Sequence, residues 1–313
     1  MTPYDTKNPK VTIGLAVYNG EKFIRKRLDN ILSQTFNDFE LIISDDSTDS
    51  TPEICQEYAK RDKRIRYIHQ KKNMGWIWNF LYVLREAKGK YYTHTGVDDW
   101  FSEDFLEKNA EFLDTQQNFV TSTGKAEYYG PKVNQFDPQD GDSFFTDIYK
   151  QIRRIFRPPL IISDKSGTYE KRAGFCLRHN AYGHTLGLTR IEKLRLSSTS
   201  YDNPFFVCDW ANCLDLLRHG KVHVFDKIMI RIYNSGFSTK GIFNQWKKQK
   251  TRLNEYFLPY STFTMWCIGN IGLKFFFMNL DYFIWLNLLG ILGILVDIGR
   301  ISRRKISSKN YST

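Results

Sequence analysis

The stretch KVTIGLAVYNGEKFIRKRLDNILSQTFNDFELIISDD, residues 10–46, decides the fold. Its first ten residues are apolar enough for a strand buried on both faces. Residues 20–35 then place Phe23, Ile24, Leu28, Ile31 and Leu32 at helical spacing. A second apolar run, Phe39–Ser44, reads as a strand that ends on Asp45 and Asp46. Strand, helix, strand in 37 residues is the length of one βαβ unit, and such a unit implies a parallel pair with a right-handed crossover.

The same alternation continues downstream. Thr51 is expected to N-cap a helix with Pro52 at its first position. RIRYIHQ (64–70) reads as a third strand. NFLYVLREAKG (79–89) reads as a helix closed by Gly89 at C′, and KYYTHTGV (90–97) as a fourth strand. The expected fold class is therefore α/β, a Rossmann-like, mainly parallel sheet with helices on both faces.

In sheets of this kind ligands bind beyond the carboxyl ends of the strands. Three polar clusters fall at those ends: Tyr18-Asn19, Asp45-Asp46 and Asp98-Asp99. One acidic pair after a strand often only caps the next helix. Two pairs and a Tyr-Asn at one sheet edge point to a binding site.

Beyond residue 120 the pattern loosens. SFFTDIYKQIRRIF (143–156) can form a helix. Trp210, Cys213, Leu214, Leu216 and Leu217 mark an apolar helix face ended by Gly220, and KVHVFDKIMIRI returns as strand. Asp209 lies at the first turn of that helix, where it either faces the helix dipole or stands at the rim of a pocket.

Composition narrows the function classes. The 313-residue chain is 42% hydrophobic and 25% charged, as globular proteins are, with 16% aromatic residues and a net charge of +11. Its five cysteines show no CxxC, so a reducing compartment is expected and a zinc site is not. The opening MTPYDTKNPK carries no apolar run, so no signal peptide is expected and the catalytic part is assigned to the cytosol. No GxGxxG, P-loop, HExxH or GxSxG occurs. The excess of positive charge allows nucleic acid as a partner, but no reader motif accompanies it, and acids at the sheet edge would repel phosphates unless a cation intervened.

The motifs resemble those of GT-A glycosyltransferases of family 2, the inverting nucleotide-sugar transferases. VTIGLAVYNGEKFIRKRLDNILSQTFNDFELIISDDSTDST resembles the family's opening, THTGVDDWF sits where the family carries its D-x-D-type metal motif, and FVCDWANCLDLLRHGKVHVF resembles the segment with its catalytic aspartate. The resemblance spans roughly residues 10–240. It implies a nucleotide-sugar-binding half (1–115) and an acceptor-binding half (116–242); the shift to apolar, basic-flanked sequence after Phe243 marks a membrane-associating helical region (243–313).

It also implies roles. Tyr18 would stack on the nucleobase, with the Ala16 backbone beside it. Asp46, or Asp45, would accept the imide N–H of a uracil or thymine. Asp98 would approach the ribose, Asp99 would reach Mg²⁺ or Mn²⁺, and Asp209 would be the general base. His184, Thr185 and Trp76 are candidates for the acceptor or sugar side, with Trp78 expected to pack. Two departures stand out: the glycine of the family's DDGS is missing from DDSTD, and Tyr233 stands where the family often has a histidine. A phenol with a pKa near ~10 is a poor ligand for a hard cation, so any metal here would rest on Asp99, phosphate oxygens and water.

The resulting expectation is metal-assisted transfer of a hexose-type sugar, with inversion, from a UDP-sugar to a glycan or lipid-linked acceptor. The alternative is a nucleotide-sugar-binding membrane protein impaired in catalysis. Residues 256–280 and 282–299 are strongly apolar and end in the basic RISRRKISSK. They are expected to hold the protein at the cytoplasmic face of a membrane, either as a spanning hairpin or as helices lying in the interface.

Overall fold

The computed structural model describes residues 8–130, 144–155, 167–179, 186–197, 201–202, 204–233, 255 and 257–310. The first half follows the expected alternation: β1 (Val11–Val17), α1 (Ile24–Leu32), β2 (Phe39–Asp45), α2 (Thr51–Arg61), β3 (Ile65–His69), α3 (Trp76–Glu86) and β4 (Tyr91–Thr95). After these come β5 (Trp100–Phe101), α4 (Phe105–Thr115), β6 (Phe119–Tyr129), α5 (Phe144–Ile155), α6 (Tyr169–Arg178), β7 (Leu188–Arg190), α7 (Ile191–Ser197), α8 (Cys208–Leu216) and β8 (Lys221–Tyr233). The chain continues in α9 (Ser261–Asn270), α10 (Leu273–Met278) and α11 (Leu280–Asn310).

The eight strands among the described residues form one sheet in the order β3-β2-β1-β4-β7-β6-β8-β5. The first four are mutually parallel, with Val17 opposite Asp45 and Asp45 opposite His69. Strand β7 is antiparallel to both β4 and β6, which makes the sheet mixed at its centre. The parallel register brings the carboxyl ends of β1, β2 and β4 to one edge, so Tyr18, Asp46 and Asp98 emerge together although up to eighty residues separate them.

Two buried clusters cover the two faces. Ile24, Leu28 and Ile31 of α1 pack with Cys55 of α2, Phe105 of α4 and the inward residues Val11, Ile13 and Leu15 of β1. On the other face Phe80 and Val83 of α3, Leu177 of α6 and Leu214 of α8 share a core with Phe263, Phe275 and Phe283 of the C-terminal helices. Alternate residues of a strand point to opposite faces, which is why Leu41 and Ile43 enter the first cluster and Ile42 the second.

Three local expectations are corrected. Helix α3 begins at Trp76 and ends at Glu86, so Gly89 is not its C′ residue. Gly89 is there because β1 passes close: a Cβ at residue 89 would lie 2.5 Å from the Thr12 nitrogen. Thr51 does not cap α2 but is its first residue, after Ser50; its hydroxyl accepts from the Gly20 N–H at 2.9 Å and donates to Asp49 Oδ1 at 2.6 Å. The first C-terminal apolar stretch is broken at Gly272, whose φ is +120°, into two helices each much shorter than the ~20 residues of a bilayer span. Neither of these two helices is long enough to cross a bilayer by itself.

Candidate active site

The β1–α1 and β2–α2 loops are laced together. Asn19 adopts a left-handed conformation (φ 52°) that lets its N–H donate to Ser47 Oγ at 2.7 Å while its side-chain oxygen accepts from Thr48 N–H at 2.9 Å. This holds Tyr18 at the sheet edge, 53% exposed. Ala16, two residues earlier on β1, pairs with Ser44 and presents only backbone to the edge.

The two acids that end β2 have different surroundings. Asp45 is fully buried; its Oδ1 accepts from the Ser47 N–H at 2.9 Å and its Oδ2 from the Tyr67 hydroxyl at 2.8 Å. It braces β2, β3 and the following turn, with each of its oxygens accepting a hydrogen bond. Asp46 is held by one oxygen: Oδ2 accepts from Met74 N–H and Asn79 Nδ2, each at 2.8 Å. Its Oδ1 accepts from no donor among the described residues.

Beyond β4 the chain turns at Gly96, whose N–H donates to Asp99 Oδ2 at 2.8 Å. Burial pushes the Asp99 carboxyl up to about 6, against the pull of the Arg27 charge and of backbone hydrogen bonds from Gly96 and Tyr233. Asp98 is shifted in the same direction, again chiefly by burial. Arg27, 2% exposed, lies beneath the pair. Its Nη1 donates to Asn30 Oδ1 at 2.6 Å, its Nη2 donates to the Thr95 hydroxyl, and its guanidinium carbon stands 4.2 Å from the centre of the Phe101 ring. Among the described residues no carboxylate is within ion-pair distance of it, and burial lowers its own pKa to about 10. Sequence reading missed Arg27, although it interrupts the apolar stripe 24, 28, 31 at a position three residues after Ile24.

Tyr233, the last residue of β8, closes this corner. Its ring lies 5.0 Å from that of Phe23 and 5.2 Å from that of Tyr129, whose hydroxyl donates to the Asp98 carbonyl at 2.7 Å. What Tyr233 brings to Asp99 is its backbone.

Asp209 is in the first turn of α8, behind Val207, a non-glycine residue held at φ +63°. Such strain persists only where the surroundings impose it and is common at functional sites. Burial pushes the Asp209 carboxyl up to about 6, with backbone hydrogen bonds opposing. Its charge bears on the buried hydroxyl of Tyr201 and raises that pKa further.

A line of rings runs from Tyr201, on which the Asp209 charge bears, to β4. Tyr201 lies 5.0 Å from Phe80, which meets His94 of β4 edge-on at 4.9 Å; the Arg27 charge reaches His94 and, with burial, takes its pKa down to about 4. Trp76, 47% exposed at the start of α3, stands edge-on to Tyr201 at 6.3 Å, and Trp78 stacks on Tyr82 as packing. His184 and Thr185 lie outside the described residues.

Two adjacent carboxylates, with burial raising both, make an all-oxygen donor set suited to Mg²⁺ or Mn²⁺. An added cation would relieve the cost of their ionisation. Among the described residues no third His, Cys, Asp or Glu joins them, so its other ligands would be phosphate oxygens and water.

A profile of the family described as Glycosyl transferase family 2 matches residues 12–176. The chain is 39% identical over 99 residues to the glycosyltransferase GlyA of Streptococcus pneumoniae serotype 4, covering 31% of this chain and 14% of that one. It is 33% identical over 117 residues to the putative teichuronic acid biosynthesis glycosyltransferase TuaG of Bacillus subtilis, covering 37% and 46%. The similarity spans less than half the length of either relative. Among solved structures, S. aureus TarS 1-349 in complex with UDP-GlcNAc gives a TM-score of 0.53 at 17% identity, covering 83% of this chain and 73% of that one. Mannosyltransferase PcManGT from Pyrobaculum calidifontis, in complex with GDP-Man and Mn²⁺, gives 0.51 at 14%, covering 95% and 89%. At those identities the likeness is one of fold, the GT-A fold. With more than half of its length matched by the family profile, the chain belongs to glycosyl transferase family 2.

Proposed function

We propose that the protein transfers a hexose-type sugar from a UDP-sugar to an acceptor hydroxyl with inversion, in the assembly of a cell-surface glycan or lipid-linked oligosaccharide. The observation that carries this reading is the placement of Asp209. It is a half-buried carboxylate in a helix first turn, with a pKa raised to about 6, whose charge bears on Tyr201; from Tyr201 a line of rings runs through Phe80 to His94 of β4, the strand that leads to Asp98 and Asp99. The teichuronic acid named for one relative and the UDP-GlcNAc bound to a structural neighbour support the substrate class.

In this reading Tyr18, exposed and fixed from below, stacks on the uracil. The unoccupied Asp46 Oδ1 accepts the imide N–H, and Asp98 approaches the ribose. Asp99 holds the divalent cation, which when bound neutralises charge on the diphosphate leaving group. Asp209 takes the proton of the attacking acceptor hydroxyl, a contribution of roughly 10²–10⁴-fold. A carboxyl with a pKa of about 6 is ionised at neutral pH yet basic enough for the task. With one base across from the leaving group, and no second nucleophile positioned among the described residues, the displacement is single and inverts the anomeric centre. Trp76 offers an exposed indole face to the sugar ring.

Thermal shift with UDP and Mn²⁺ tests the donor half: each should enhance the effect of the other. A donor screen that follows release of nucleoside diphosphate tests the reaction. A chain stabilised by neither ligand, and releasing no diphosphate from any donor, would sink the proposal.

A further inference from the structure

Eleven of the sixteen large hydrophobic side chains left exposed among the described residues lie between Phe257 and Ile298. They are not scattered. On α11, Ile284, Leu288, Leu295 and Ile298 are 54%, 53%, 60% and 43% exposed and recur at the spacing of one helix face. The opposite face of the same helix is buried: Phe283 is 1% exposed and Leu286 6%.

That buried face is bound to the catalytic body by more than apolar contact. Asn287 Oδ1 accepts from the Tyr260 N–H at 3.0 Å, and a Cβ at Gly290 would lie 2.8 Å from the Tyr260 ring. Arg178 of α6 donates two hydrogen bonds to the Asp281 carboxylate, at 2.9 and 2.6 Å, and a third to Asn279 Oδ1 at 2.9 Å. Leu280–Gly299 is long and apolar enough to cross a membrane, but a spanning helix would have to leave these partners. Beyond Gly299 the helix runs on to Asn310 with five basic residues and no acidic one.

We propose that α11 lies in the plane of an anionic bilayer surface, with the Ile284–Ile298 stripe immersed and the Arg300–Lys309 turns against lipid headgroups, so that the enzyme is monotopic. An amphipathic helix held to a folded body on one face and apolar on the other inserts to the depth of the headgroup–acyl boundary, and basic residues beside it add attraction to anionic lipid. Leu273 and Phe277 of α10, 60% and 65% exposed, extend the apolar surface. A second copy would cover the stripe but add five more positive charges of its own; an anionic surface complements both the stripe and the charge. The proposal does not depend on which sugar is moved or whether Asp209 is the base.

The test uses the full chain and vesicles of phosphatidylglycerol with phosphatidylcholine. All five native cysteines are buried, so nitroxide labels can be directed to Ile284→Cys, Leu288→Cys and Leu295→Cys. Flotation with the anionic vesicles is expected, weakened by salt, with the three labels at one shallow depth. The Leu288→Asp, Leu295→Asp double variant should lose more than about tenfold in vesicle partition while keeping the wild-type melting temperature and UDP response. A label depth that passes through the bilayer centre along the helix would establish a span and overturn the proposal. So would full flotation of the double variant, or a wild-type chain that ignores vesicles and runs as a dimer dispersed by that variant.

Discussion

Gly96 and Asp99 are locked together across a tight turn: the Gly96 N–H donates to Asp99 Oδ2 at 2.8 Å, and a Cβ on residue 96 would stand at the same 2.8 Å from that oxygen and 3.1 Å from Asp98 Oδ1. The glycine is what lets two ionisable groups fold back over their own backbone. Replacing it by alanine pushes both carboxylates outward and weakens the amide contact that lowers Asp99. The expected outcome for Gly96→Ala is at least a tenfold loss in Mn²⁺-dependent UDP affinity, with a stability cost on the order of 1–3 kcal/mol. Calorimetric titration of UDP with and without Mn²⁺ would show the selective loss; an equal fall in both would mean the turn, not the pair, is what failed.

Asp45 and Asp46 are adjacent and should separate cleanly by mutation. Asp45→Asn leaves one acceptor oxygen where the Ser47 N–H and the Tyr67 hydroxyl use two, and turns a donor toward one of them in a fully buried place. It should destabilise by about 1–3 kcal/mol while leaving UDP affinity in the folded protein little changed. Asp46→Asn can keep its bonds from Met74 and Asn79 only by turning its amide nitrogen outward, toward a base that needs an acceptor. UDP affinity should fall by tenfold or more, with a smaller change in melting temperature. The reverse pattern would reassign the base contact to Asp45.

These contrasts show where sequence reading stopped. The βαβ alternation was legible because periodicity is local: Ile24, Leu28 and Ile31 mark a helix face without reference to anything else. Gly89 was misassigned because its reason is the Thr12 backbone, 77 residues away. That Asp46 is the half-free member of its pair depends on Tyr67 and Asn79, which neither motif nor spacing reveals. At the C-terminus, apolarity and basic flanks were plain from composition. The division of α11 into a docked and a bare face was not, since it depends on Tyr260, Asn287 and Arg178 meeting. Of the candidate site, the sheet-edge residues were legible from fold logic, while Arg27, Tyr129 and Tyr201 came only from the structure.

Arg27 should set the pH range of the acidic pair. Its charge is the largest influence that holds Asp99 down against burial. In Arg27→Met the side-chain volume is kept and the charge removed, so the Asp99 pKa rises above its present value of about 6. A carboxylate must lose its proton to hold a cation. The acid limb of the Mn²⁺–UDP thermal shift, followed from pH 5 to 8.5, should therefore move up by on the order of one pH unit. Replacement of a buried cation that lacks an ion-pair partner by a methionine should leave the ligand-free stability unchanged or higher. An acid limb that stays in place would mean Arg27 serves packing on Phe101 and nothing more.

Asp209→Asn gives the sharpest separation of chemistry from folding. The variant should keep UDP and Mn²⁺ binding and lose transfer by roughly 10²–10⁴-fold. Its stability should carry a pH signature of known sign. The Asp209 carboxyl is raised from 3.8 to about 6 in the folded state, so between those values the folded protein holds a proton that the unfolded chain has released. The resulting stability is fully present below 3.8 and is lost as the pH rises through 6. Above that point the wild-type protein carries an ionised carboxylate in a half-buried place, at a cost on the order of 1–3 kcal/mol. Asparagine never ionises. Denaturant melts should therefore find Asp209→Asn more stable than wild type at pH 8 and no more stable at pH 4. Equal stability at both pH values, with transfer intact, would remove Asp209 from the reaction and from the buried acidic centre together.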